Sequence, residues 1–233
     1  FEKLPLPVIS FVIAVLFGMI FASVIGFIAG FDFILGKFSV IATRLLHPLG
    51  TERLTLTVAE NLQPFFKDWT EHFNLLFFWL FFFGSILLVY LVLHALKNKH
   101  KIGLTLVYAI FLTTLIFSRY SKNSVLNGEN LLSQIVFFTG LLLLLAAAIF
   151  TYFKSYYKDK DTFNMLTAIA SSLLFVLVWL LWLVIGARGA IRLFFLFVPI
   201  GSIVAAFMLV RIGEYSTKIK DKLYKFVLIV LII

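Results

Sequence analysis

The chain has no cysteine among its 233 residues, which excludes disulfide bridges and thiolate-held metal sites. Charge is also scarce. Asp, Glu, Lys and Arg together make up 13% of the residues, against about a quarter in a soluble domain. The short motifs of soluble catalysis are missing as well. There is no HExxH pair, no Walker loop and no GxSxG elbow, so hydrolases and kinases built on those motifs are excluded.

Apolar residues fill the space that charge leaves. They make up 62% of the chain, 29 of them Phe, and the mean hydropathy is +1.08. That is more apolar surface than a soluble core of this size buries, and it defines an integral membrane protein. Seven apolar runs can be read, at 7–31, 73–96, 102–118, 131–153, 164–186, 192–210 and 226–233. The first six have the length of about 17 to 25 residues that a spanning helix needs. The expected fold is therefore all-α: a polytopic, multi-pass bundle with one long external loop, 32–72. The seventh run, FVLIVLII, stops with the chain, and the opening FEKLPLP has neither an initiator Met nor a signal-peptide pattern. Both ends read as cuts through a longer protein.

The net charge of +9 raises the possibility of nucleic acid, but the distribution of the charge argues against it. Lys3, Lys97, Lys99, Lys101, Lys154, Lys158, Lys160, Arg211, Lys218, Lys220, Lys222 and Lys225 fall on one side of the alternating runs. Lys37, Arg44, Arg53, Lys67, Arg119, Lys122, Arg188 and Arg192 fall on the other. The first set is larger and sits in short loops, so that side is expected in the cytoplasm of a cell-membrane protein. Loop 32–72 then faces outward, and no nucleic-acid partner is expected. Within it, Ile34, Phe38, Ile41 and Leu45 recur at helical spacing beside Lys37 and Arg44. Residues 31–48 are therefore expected as an interfacial helix. Pro48 and Gly50 end it, and TLTVAEN continues as an extended piece.

Few residues can carry chemistry. Asp159, Asp161, Glu214 and Asp221 lie in Lys-rich loops and read as solvated, and His94 and His100 flank a short turn with no carboxylate near them. The outer side holds Glu60, Asp68, Glu71 and His72. It also holds Arg188 and Arg192 in GARGAIRLFFLFVP, spaced to share a helix face. An arginine at a span boundary is expensive unless it pairs or reaches headgroups. Arg192, just before LFFLFVP, is the harder of the two to explain as an idle cation. Arg119 leads into YSKNSVLNGEN, a polar loop in which it is expected to stay hydrated.

The pair TVAENLQP and GARGAIRLFFLFVP resembles the catalytic subunit of oligosaccharyltransferase, of the archaeal AglB and bacterial PglB kind. Thr57 to Glu60 fits that family's TIXE motif with Val58 for Ile, and Gln63-Pro64 is similar to the step that follows it. KFSVIATRLLHP is similar to the short helix before the motif, and Arg192 to Pro199 is similar to the segment carrying the family's membrane arginine. The resemblance covers 32–72 and 186–200 directly. It implies the multispan glycosyltransferase fold and transfer of a glycan from a polyprenyl (di)phosphate to Asn of an N-x-[ST] sequon. The partners implied are a lipid-linked oligosaccharide, an acceptor peptide and membrane lipid, with a divalent cation, Mg²⁺ or Mn²⁺, as cofactor. Glu60 takes the role of the motif carboxylate at that metal, and Arg192 that of the membrane arginine near the lipid phosphate. Thr57, Arg188 and Arg119 are further candidates for substrate contact, and Arg119 is the rival for the role of Arg192.

Two departures accompany the resemblance. The family's N-terminal Asp motifs and its WWDYG motif have no counterpart, and two more spans than expected separate Glu60 from Arg192. This piece by itself is expected to be inactive. A lipid-linked sugar flippase and another lipid-sugar-dependent membrane glycosyltransferase are the alternatives.

Overall fold

The computed structural model describes residues 5–32, 35–36, 39 and 62–218. TVAEN, with Thr57 and Glu60, and the seventh apolar run lie outside the described residues. Of the expected interfacial helix 31–48, only residues 31–32, 35–36 and 39 are described, all helical. The chain divides into two compact units, residues 1–56 and 57–233.

The first unit contains α1, Leu6–Ala29. Its first turn forms on the Pro5 carbonyl, which accepts from the Val8 and Ile9 N–H groups at 2.9 and 3.1 Å. Pro5 has no N–H to leave unpaired at this helix start. Val8–Ile28 is apolar all round and long enough to cross a membrane. Phe11, Phe17, Phe21 and Phe27 are exposed on it, as suits a helix whose solvent is lipid.

The second unit is a helical bundle. Its elements are α2 Phe66–Phe73, α3 Leu75–Val92, α4 Asn98–Phe117, α5 Leu131–Lys158, α6 Lys160–Thr167, α7 Ser171–Gly189 and α8 Phe194–Lys218. Leu75–Val92, Asn98–Phe117, Leu131–Lys158, Ser171–Gly189 and Ile191–Ser216 are each long and apolar enough to span. With α1 there are six such helices among the described residues and no strand.

The helix ends differ from the limits of the apolar runs for local reasons. Run 73–96 is helical only to Val92, where the last turn tightens to the 3₁₀ segment Leu93–Ala95. α5 outlasts its run by continuing through TYFKSYYK to Lys158. Run 164–186 is two elements. Asp159 caps α6 by accepting from the Thr162 N–H at 3.1 Å, and α7 begins only at Ser171.

α3 is the central element, packing on α4 and α8. Phe78 and Phe81 of α3, Phe111 and Leu115 of α4, Leu180 and Val184 of α7, and Phe197 and Ile200 of α8 are fully buried together. α3 and α8 approach closely at Gly84, where a Cβ would stand 2.7 Å from the Val204 carbonyl oxygen. Any larger residue there would force the two helices apart.

Connections between the long helices of the second unit gather in two groups. At one end Lys97 Nζ meets the Asp159 carboxylate at 3.0 Å, tying the α3–α4 turn to the α5–α6 turn. The other end holds residues 62–74, 118–130 and 189–193, which are hydrogen-bonded to one another. Phe66 N–H donates to the Arg119 carbonyl at 3.0 Å, and Ile191 N–H to the Leu62 carbonyl at 3.0 Å.

Candidate functional site

The site begins with α2, which occupies the C-terminal part of the expected external loop. Asp68 starts this helix by accepting from the Phe65 N–H at 2.6 Å. Its one deeply buried side chain is Trp69, whose ring centroid lies 4.7 Å from Phe194 and 5.5 Å from Phe197. Asn74 then turns the chain into α3 at φ 63°, with its side-chain oxygen accepting from the Leu76 N–H at 3.1 Å. α2 is thereby a docked helix, with Lys67 and Glu71 paired at 3.1 Å on its outer face. His72 is engaged locally, its Nδ1 lying 2.8 Å from the Asp68 carbonyl.

Just before α2, Gln63 is 5% exposed and flanked by Pro64, also buried. A buried amide needs partners, and Gln63 finds two arginines. Its carbonyl accepts from Arg119 Nε at 3.1 Å. Its side-chain Oε1 accepts from Arg119 Nη1 at 3.4 Å and from Arg188 Nη1 at 3.0 Å. Arg188 Nη2 donates to the Ser118 hydroxyl at 3.2 Å. Among the described residues Arg188 Nε has no hydrogen-bond partner.

Both arginines are buried, Arg119 at 2% and Arg188 at 6% exposure. The expectation of a hydrated Arg119 is corrected here. The polar loop after it folds back, pairing Arg119 with Asn127 in an isolated antiparallel bridge. Asn127 Oδ1 holds the turn by accepting from the Glu129 and Asn130 N–H groups, each at 2.9 Å. Gly128, at φ +82°, lies over the Arg119 stem so closely that a Cβ would stand 2.6 Å from its Cγ.

Two buried cations at one amide need compensation. Arg119 lies over the Phe65 ring at 4.3 Å and Arg188 over the Phe137 ring at 5.1 Å, and such stacking favours a guanidinium. Glu129, mostly exposed, comes no nearer to Arg119 Nη2 than 4.0 Å. Burial pushes the Arg119 guanidinium below its ordinary range, opposed by the charges of Glu129 and Asp68. It remains a cation at neutral pH.

Arg188 and Arg192 do not share a helix. α7 ends at Gly189, Ala190 is extended (φ −163°, ψ 145°), and Ile191–Leu193 form a 3₁₀ turn before α8. The break turns Arg188 into the bundle and leaves Arg192 exposed at the same end. Pro199 lies inside α8.

The structure thus brings Arg119 and Arg188 together and sets Arg192 apart from them. Gln63, Ser118 and Gly128 complete the arrangement. In the sequence Gln63 is marked only as part of the Gln63-Pro64 step, and nothing local points to a partnership with two arginines. Among the described residues no group of three or more His, Asp or Glu stands close enough to hold a metal ion.

Comparison of the chain with protein-family models, with curated proteins and with solved structures gave no match. The fold itself defines the class, an all-helical multi-pass membrane protein.

Proposed function

We propose that this chain is part of the membrane domain of an oligosaccharyltransferase, which transfers a glycan from a polyprenyl (di)phosphate to the Asn of a sequon. The observation that carries the proposal is the double hydrogen bond of Gln63 to Arg119 and Arg188. It anchors the segment that follows TVAE to α7 and to the turn after α4. Glu60 is three peptide steps upstream, a reach of at most about 11 Å. Arg192 is exposed at the same end of the bundle as Gln63.

In this reading the three arginines divide the work. Arg119 and Arg188, buried and committed to Gln63, position the loop. Arg192, open to its surroundings, supplies the charge for a departing lipid diphosphate. Loop 32–72 is extracytoplasmic, and Thr57 and Glu60 are the motif residues assigned to the substrate and the metal. The described residues do not by themselves form a shell for Mg²⁺ or Mn²⁺. The cation expectation rests on Glu60, a hard oxygen ligand of the kind such ions take, and no step is routed through the metal.

The test is transfer of lipid-linked glycan to a sequon peptide by membranes carrying the full reading frame around this chain. Glu60→Gln keeps the size of the side chain and removes its charge, and transfer is expected to fall by about 10²-fold or more. Undiminished transfer would sink the proposal.

A further inference from the structure

α5 is 28 residues long, about 42 Å of helix against about 30 Å of hydrocarbon. Its last turns therefore extend to headgroup depth, and they carry FTYFKSYYK. Phe150, Phe153, Lys154, Tyr157 and Lys158 line an open cavity of about 290 Å³ there. Phe150 and Tyr157 are 65% and 52% exposed. The Phe153 and Tyr157 rings stack at 6.3 Å with only 9° between their planes, and Lys154 Nζ sits 5.5 Å above the Phe150 ring.

Among the described residues no carboxylate lines this cavity. Asp159, next in sequence, is held by Lys97 at 3.0 Å and by Thr162, whose N–H and hydroxyl donate at 3.1 and 2.8 Å. Asp161 belongs to the first turn of α6. Lys154 and Lys158 are one helical turn apart, so both ammonium groups serve one face. That face offers two cations above a stacked aromatic floor, at the depth where a phosphodiester meets its glycerol and upper acyl carbons.

We infer that this end of α5 is a binding site for an anionic phospholipid, its phosphate between Lys154 and Lys158 and its upper chains along Phe150, Phe153 and Tyr157. Basic clusters next to a span attract anionic headgroups, and aromatic rings settle at the interface. The site is independent of any glycosyl transfer and stands at the end of the bundle opposite Gln63.

Co-purified and added lipid can be counted by native mass spectrometry of the purified protein, with phosphatidylglycerol and phosphatidylcholine as probes. Phosphatidylglycerol is expected to be retained at one site and phosphatidylcholine not. Lys154→Gln/Lys158→Gln should weaken phosphatidylglycerol retention by about 30-fold, at about 5-fold per lysine near an anionic surface. Lys99→Gln/Lys101→Gln removes equal charge at the same end, outside the cavity, and should change retention by less than about 5-fold. Equal loss in both double variants would mean diffuse surface charge and overturn the site. So would equal retention of the two lipids, or displacement of phosphatidylglycerol by millimolar inorganic phosphate alone. Phe153→Leu, which keeps the lysines, should lower retention of phosphatidylglycerol but leave gel-filtration behaviour unchanged, and unaltered retention would remove the aromatic floor from the proposal.

Discussion

Arg188 Nη1 lies 3.0 Å from Gln63 Oε1, joining residues 125 positions apart in the chain. The contact closes one end of the bundle, because the same oxygen also accepts from Arg119. Two positive charges thus depend on one neutral amide, and the sign of that dependence is measurable.

Gln63→Ala removes the side-chain oxygen that both guanidiniums share, and losing a hydrogen bond to a buried charge costs about 1.5–3 kcal/mol. The thermal midpoint of the purified protein should fall by several degrees or more. Gln63→Glu keeps the shape and places an anion between two cations, so its midpoint should match or exceed that of the parent. A Glu variant less stable than the Ala variant would mean that the arginine pair is not an electrostatic burden.

Gly128 sets the second test. At φ +82° an Ala is strained, and its Cβ would meet the Arg119 side chain at 2.6 to 2.9 Å. Gly128→Ala should destabilise by about 1–3 kcal/mol, read as a lowered midpoint. It should also hasten proteolytic cleavage between residues 118 and 130, since that turn must open to admit the methyl group. A variant as stable and as resistant as the parent would show that the turn does not clamp Arg119.

The all-helical class and its spans were legible because continuous apolar runs of membrane length have no other economical fold. Helix limits were less so. KSYYK, residues 154–158, reads as a loop by charge, yet it continues α5 to Lys158. Run 164–186 is divided at residues 168–170, between the end of α6 at Thr167 and the start of α7 at Ser171, and no Gly or Pro marks that break. The site was legible only in its parts. Arg119, Arg188 and Arg192 stand out one by one as charges at span edges, but which of them turn inward depends on a helix break at Ala190 and a folded turn at Asn127. No local periodicity encodes a partnership between residue 63 and residues 119 and 188.

Asp159 gives a prediction in pH. The Thr162 backbone N–H, then its hydroxyl, then Lys97 hold this carboxylate down to about 2, against about 3.9 in an unfolded chain. A depressed folded value means that the stabilisation is complete above about pH 4 and is lost as pH falls towards 2. Asp159→Asn should therefore lower the midpoint at pH 7, and its deficit should shrink between pH 4 and 2. A deficit that stays constant across that window would assign the residue's effect to packing alone.

Sidedness can be read with single cysteines, since the chain has none of its own. Asn98 begins α4 and Lys122 lies in the turn beyond its other end, both exposed, and the helix between them is about 30 Å long. Lys122→Cys should react with an impermeant maleimide in intact cells, and Asn98→Cys only after permeabilisation. The reverse pattern would put Gln63 and its arginines in the cytoplasm and remove the basis for an external transferase site.

The three arginines separate by comparing stability with turnover. Arg119 and Arg188 are buried in hydrogen bonds to Gln63, so Ala at either position strands polar groups and should lower the midpoint and glycan transfer together. Arg192 is exposed and outside that network. Arg192→Ala should leave the midpoint within about a degree or two, because surface substitutions rarely exceed about 0.5 kcal/mol, while transfer falls by about 10²-fold. Arg192→Lys retains the charge but not the bidentate fork and should recover only part of that loss. The assay is peptide glycosylation by the full reading frame at matched membrane levels, with melting measured on the same preparations. If Arg192→Ala transfers normally while Arg119→Ala is inactive at an unchanged midpoint, the roles are reversed, and Arg119 is the residue that reaches the substrate.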